Sequence, residues 1–205
     1  MKQKILIATT NQGKFNQFLN ALQSKLGDKY DFISLNDINY KKDIVEDKET
    51  LLENSIKKAQ ETCSDTGYIC LSDDSGFFIN ALPNLLGIFC GRYRKSFSTR
   101  EKCHDDILAK LKDKKDRSCY YETSIAVAFP NGKLLTSVGK CEGFVDTKYD
   151  EKYIGVNISP NGAHAFDFIF IDKKTKKPLP ELTSKQLMNT NARGKALKKI
   201  IKLLS

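Results

Sequence analysis

Two carboxylates stand side by side at Asp73-Asp74, between the apolar run Tyr68-Ile69-Cys70-Leu71 and the pair Ser75-Gly76. Adjacent like charges repel, and each loses hydration at the end of a buried strand unless something positive lies close. A divalent cation meets that need. Hard Mg²⁺ takes a few carboxylates and fills its remaining positions with water and substrate phosphate. The plainer reading is an Asp-Asp-Ser-Gly turn whose side chains bond nearby backbone. A second candidate is the run Thr9, Thr10, Asn11, Gln12, Gly13, Lys14, which joins a strand to a helix. Its backbone N–H groups, the helix dipole and the Lys14 ammonium would converge on an anion, most naturally phosphate. It is not a Walker loop, and by spacing alone it is equally an ordinary strand-to-helix turn. The third candidate is Thr50-x-x-Glu53, a capping-box pattern in which Glu53 satisfies a free backbone donor.

The elements that must position these residues follow from periodicity. Lys4–Ala8 reads as a short buried strand. Lys14 to Leu26 carries Phe15, Phe18, Leu19, Leu22 and Leu26 on one helical stripe, with Gly27 as the stop. Tyr30–Leu35 and Tyr68–Ser72 read as strands, and Thr50 to about Ser64 and Thr99–Leu111 as helices. Ser118–Phe129 and Lys133–Val145 flank Pro130-Asn131-Gly132, a hairpin signal. Phe166–Ile171 reads as another strand and Arg193–Leu204 as an amphipathic closing helix. This order predicts an α/β fold, a mixed sheet with helices on both faces, built as a single domain over 1–205.

Composition narrows the classes. Of 205 residues, 40% are hydrophobic, which suits one compact α/β domain or two lobes sharing a core. No apolar stretch approaches the ~18 residues of a membrane span, and the start does not read as a signal peptide. The six cysteines lack metal-like spacing and read as buried reduced thiols of a cytoplasmic protein. With His104 and His164 alone, a histidine-rich zinc site is disfavoured. The net charge of +9 sits wholly in residues 173–205, where ten Lys and Arg face one acid, Glu181. Such a tail fits nucleic acid, a membrane surface or phosphate-bearing small molecules, or a solvated helix face. The interleaved apolar positions of the last helix favour core packing and argue against nucleic acid. His104, amid Glu101, Lys102 and Asp105, reads as exposed.

In combination, ATTNQGK, TLLENSIKKA (Thr50–Ala59), LSDDSGFFINAL, LGIFCGRY, FDFIF and ARGKAL fall in the order and spacing of one family. From about residue 4 to 203 the chain resembles the inosine triphosphate pyrophosphatases. That resemblance implies an elongated mixed sheet forming two lobes with a central cleft. It also implies hydrolysis of a nucleoside triphosphate to monophosphate and pyrophosphate, a need for Mg²⁺, and a homodimer. By position, Thr9 to Lys14 would hold the triphosphate, and Glu53, Asp73 and Asp74 the metal. Asp74 would be the general base and Ser75 would lie beside the substrate. His164, Phe166 and Asp167 would meet the base, and Arg193 would help neutralise the phosphates.

The chain also departs from the family pattern. Gln17 stands where the first motif carries an acid. His164-Ala165-Phe166-Asp167-Phe168 replaces Phe-Gly-Tyr-Asp-Pro. Leu187 takes the place of a Lys, unless Lys185 fills that role from a shifted register, and Asn191-Ala192-Arg193 replaces Ser-His-Arg. The phosphate and metal residues are retained while donors that read the base are lost, which predicts an altered or relaxed base preference. The rival readings are a nucleotide-binding protein of this fold with little turnover, and a related phosphoanhydride hydrolase with a different base.

Overall fold

The structure, a computed structural model, describes residues 2–153 and 165–205. Its main elements are β1 (Gln3–Ile7), α1 (Gln12–Leu26), β2 (Tyr30–Ser34), α2 (Leu51–Thr66), β3 (Ile69–Ile79), α3 (Cys90–Lys95), α4 (Arg100–Lys110), β4 (Ser118–Ala128), β5 (Leu134–Val145), β6 (Phe170–Asp172), α5 (Ser184–Thr190) and α6 (Ala192–Leu204). The six strands form one sheet in the order β2-β1-β3-β4-β5-β6. β1 runs parallel to both β2 and β3, with Ile5 opposite Ile69 and Ile7 opposite Leu71. β5 and β6 are antiparallel, so the sheet is mixed, as expected.

Chain contacts divide into two compact units. The first comprises Met1–Asp74, Thr123–Gly139 and Lys195–Ser205, and the second Ser75–Glu122 and Lys140–Gly194. In the first, Ile5, Leu6 and Ile7 are all essentially fully buried, because parallel strands must be covered on both faces. Leu6, Cys70 and Ala126 pack with Ala59 and Cys63 of α2. α6 buries Ala196, Leu197, Ile200 and Leu204 while Lys198, Lys199 and Lys202 stay in water, so this part of the basic tail is the wet face of a core helix. The second unit has its own core around Phe77, Ile107, Tyr121, Cys141, Phe166 and Phe170.

Three expectations are corrected. β3 does not stop at Ser72. It runs on through Asp73, Asp74, Ser75 and Gly76 to Ile79, so the acid pair lies within a strand and not in a turn. β3 has β1 on one side and β4 on the other, and its polar side chains find partners on the packed helices: Ser72 donates to the Ser55 carbonyl of α2 at 2.5 Å. Gly76 is required where the strand meets the following loop. A Cβ there would sit 2.8 Å from the Gly87 carbonyl oxygen.

The second correction concerns Phe166–Ile171. Only Phe170–Asp172 is strand, and Asp167–Ile169 is a 3-10 turn. Residues 166 to 170 are all buried, which strand alternation cannot achieve in one core. The third is His104, which is not exposed but wholly buried. Among the described residues no helix is long and apolar enough to cross a membrane, and all six cysteines are free thiols, with Cys90 alone half-exposed.

Candidate functional site

The loop from β1 to α1 is built by its own side chains. The Thr9 hydroxyl accepts from the Asn11 N–H at 3.2 Å, and Asn11 caps the helix by accepting from the Lys14 N–H at 3.0 Å. A Cβ at Gly13 would lie 3.2 Å from that capping oxygen, so glycine keeps the cap close. Thr10 and Gln12 are exposed, and Lys14 is half-buried one turn into the helix. Its ammonium reaches Asp73, at 3.1 Å from Oδ2 and 3.3 Å from Oδ1. The expected anion loop and the expected acid pair therefore meet through one ion pair.

Asp73 and Asp74 are 2% and 8% exposed. Strand alternation sends them to opposite faces of the sheet. Asp73 turns to the α1 side, where Lys14 stands. Asp74 shares its face with Ser72, whose hydroxyl is bonded to α2. Lys58 of α2 donates to the Asp73 carbonyl oxygen at 2.7 Å and pairs with Glu46 at 2.5 Å. Burial disfavours the Lys58 charge, but Asp73, Glu46 and Asp74 outweigh it and lift its pKa above the ordinary lysine value. Sequence reasoning gave Lys58 no role. The available signal was a cation on the same helical stripe as Ser55, Ala59 and Thr62, all of them buried.

Glu53 is exposed at the start of α2. The Thr50 hydroxyl accepts from the Glu53 N–H at 3.1 Å and donates to Glu53 Oε2 at 2.7 Å. The cap is thus real, but the Glu53 carboxylate meets the hydroxyl rather than a backbone donor. The three expected metal ligands are placed separately: Asp73 on Lys14, Asp74 toward α2, and Glu53 on its own cap. All their donors are hard oxygens, which suits Mg²⁺. Among the described residues no three His, Cys, Asp or Glu side chains group to hold a metal alone. A cation that takes one or two carboxylates and completes its shell with phosphate and water fits this set.

The second unit holds the remaining candidates. Ser75 is half-buried, and its carbonyl accepts from the Cys90 thiol at 3.6 Å. The Phe166 ring stacks on Phe77 at 5.0 Å within the core. Asp167 is 2% exposed, and the Tyr121 pKa is raised far above the usual range by burial and then by the charge of the Asp167 carboxylate. Arg193 is 2% exposed in the first turn of α6. Leu187 packs against the core and Ala192 lies inside it, so neither offers a donor. His164 lies outside the described residues. Arg100 of α4, which sequence reasoning passed over, and His104 of the same helix, which it read as exposed, both reach the 165–168 segment.

Residues 5–203 match the Ham1 family. A dITP/XTP pyrophosphatase of Bacillus subtilis (strain 168) is 31% identical over 208 residues, covering 100% of this chain and 98% of its own. That of Bacillus licheniformis is 29% identical over 206 residues, covering 98% of each. Among solved structures, a HAM1 protein from Coxiella burnetii superposes with a TM-score of 0.84 at 27% identity, and the Ham1 protein of Staphylococcus aureus with 0.83 at 25%, each covering 98% of both chains. The mixed six-stranded sheet is thus shared with these proteins. The motifs that tie β1, α2 and β3 together lie inside the matched span, and the chain belongs to the Ham1 family.

Proposed function

We propose that the protein is a Mg²⁺-dependent nucleoside-triphosphate pyrophosphatase. It converts deaminated purine nucleoside triphosphates to monophosphates and pyrophosphate, and so clears them from the nucleotide pool. Relatives named dITP/XTP pyrophosphatase that match nearly end to end support the reaction class. The observation that carries the reading is the Lys14–Asp73 pair at 3.1 Å, which joins a helix-capped anion loop to a buried acid pair.

In this reading Thr9 to Lys14 receive the triphosphate, and the Lys14 ammonium exchanges Asp73 for phosphate oxygen. Asp74 takes the proton from the water that attacks the α-phosphorus. The bond from that phosphorus to the bridging oxygen breaks, and pyrophosphate leaves with the electron pair. Lys58 holds the Asp73 backbone in place, and Arg193 adds positive charge for the phosphates. Glu53, Asp73 and Asp74 are the residues that would hold Mg²⁺, one or two carboxylates at a time with phosphate and water completing its shell, and the ion when bound would neutralise charge on the departing pyrophosphate. Ser75, His164, Phe166 and Asp167 serve the substrate's remaining parts. With Leu187 and Ala192 offering no donor, discrimination between bases is weaker than a full set of hydrogen bonds would give.

The test is a Mg²⁺-dependent pyrophosphate-release screen across ITP, XTP, dITP, ATP and GTP. Asp74→Asn should lower release by about 10²–10⁴-fold, the contribution of a general base, while nucleotide affinity persists. Orthophosphate as the sole product, without added inorganic pyrophosphatase, would show that a different bond is cut. A preference for ITP and XTP of several hundredfold would refute the relaxed-specificity part alone. The same reading has a cytoplasmic homodimer, and sedimentation showing only monomer at micromolar concentration would overturn that assembly.

A further inference from the structure

Helix α4 presents Arg100 and His104, one turn apart, to the segment that follows residue 164. The His104 ring is 0% exposed. Its Nε2 lies 2.9 Å from the Ala165 carbonyl oxygen. A carbonyl only accepts, so Nε2 carries a proton. Nδ1 is buried and has no hydrogen-bond partner among the described residues. An apolar side chain of similar size would avoid the unsatisfied Nδ1 but would leave the Ala165 carbonyl without this donor. The imidazole therefore contributes its bond to Ala165 rather than packing alone. Its ring meets Tyr149 and Phe168 edge to face, at 5.6 and 6.0 Å between centroids.

Arg100 completes the arrangement. Its guanidinium lies over the Phe168 ring, 5.0 Å from the centroid, and Asp167 is among the charges that act on it. The Ala165 carbonyl and the Asp167–Ile169 turn are thereby held from α4.

We propose that His104 and Arg100 are positioning residues for base selection. They fix the backbone and carboxylate of the 165–168 segment, and the preference among nucleobases depends on them. This rests on the reading above in which Phe166 and Asp167 serve the base. The fixed turn gives the chain a source of selectivity that does not need donors at positions 187 and 192.

The experiment measures kcat and KM for pyrophosphate release from XTP, dITP, dGTP and dATP with Mg²⁺. The proteins are wild type, His104→Phe, His104→Gln, Arg100→Gln and Arg100→Lys, with a melting curve for each. His104→Phe keeps the ring volume and loses the bond to Ala165. It should raise KM for the preferred nucleotide about tenfold and shrink the ratio of kcat/KM between preferred and rejected bases by a similar factor, with kcat within about twofold. His104→Gln, which can still donate to Ala165, should restore both to within about threefold. Arg100→Gln should act in the same direction and Arg100→Lys less strongly. If His104→Phe fails to fold, the half-exposed Arg100 position carries the test. A wild type with a clear base preference whose ratios move less than twofold in both His104→Phe and Arg100→Gln would overturn the inference and leave the functional reading standing. So would variants that lose kcat equally for every base. A wild type that releases no pyrophosphate from any nucleotide would overturn the functional reading and this inference with it.

Discussion

Replacing Lys58 by Met tests whether the acid pair on β3 is held by protein charge. The side chain is 17% exposed and keeps its length in the variant, so packing is largely preserved and the ammonium alone is lost. Three interactions go with it. The bond to the Asp73 carbonyl, 2.7 Å, comes from a charged donor to a buried acceptor and is worth about 1.5–3 kcal/mol. The pair with Glu46 is partly exposed and adds about 0–1 kcal/mol. Asp73 and Asp74, at 2% and 8% exposure, keep Lys14 nearby but lose a second counter-charge. A total near 3 kcal/mol corresponds to a fall in Tm of roughly 6–12 °C for a chain of this size. Because the Lys58 pKa is raised in the folded protein, its contribution is fully present below the unfolded value of 10.5 and is lost as pH rises through the folded value. At pH 7 the whole effect should be visible. Differential scanning calorimetry and urea melts at pH 7 measure it. Mg²⁺ should stabilise the variant more than the wild type, since a dication bound at the acids replaces the missing charge. A double-mutant cycle with Asp74→Asn should show coupling of at least about 1 kcal/mol. Strict additivity, or a Tm change under about 2 °C, would refute the idea that Lys58 compensates the acids.

Other positions give sharper single outcomes. Gly194→Ala puts a Cβ 2.3 Å from the Met188 carbonyl oxygen, a backbone atom that cannot step aside cheaply; chemical denaturation should show a loss of about 1–3 kcal/mol. Asn11→Ala removes the cap from the Lys14 N–H; it should cost about 1 kcal/mol in a urea melt and raise KM for every nucleotide alike, since the loop and not the base pocket is affected. Burial lowers the His104 pKa in the folded state, partly offset by its bond to Ala165, so between the folded value and the ordinary 6.5 the unfolded chain binds the extra proton. Wild-type stability should therefore fall as pH drops below about 6.5 more steeply than that of His104→Phe, and parallel pH–stability curves would contradict the assignment of a neutral buried imidazole.

The parts of the site legible in the sequence were those fixed by local rules. Asn11 caps α1 and Thr50 caps α2 because capping depends on residues two or three positions apart. The α1 stripe of Phe18, Leu22 and Leu26 is buried as its spacing required. The hairpin around Asn131-Gly132 turns there because Gly132 takes a φ of 85°, which glycine adopts without strain. The ion pair between Lys14 and Asp73, 59 positions apart, follows from no local rule; only the resemblance of the combined motifs to one family put the first motif and the acid pair in the same site as an expectation.

What was not legible depends on packing between distant segments. Nothing local says that Asp73 and Asp74 remain in strand. They do so because β3 is flanked on both sides and because Lys14, Lys58 and Ser55 supply partners from two helices. His104 shows the same limit from the other side. Its charged neighbours on α4 argued for water, since a helix with a weak apolar stripe leaves its inner face undetermined. The face is decided by Ala165, 61 positions away, whose carbonyl needs a donor inside a core of aromatic rings. A buried carbonyl left without a donor costs free energy comparable to the bond itself. The requirement that placed His104 inside thus arises on the segment it holds, and a substitution at either end of that bond should be read out at the other.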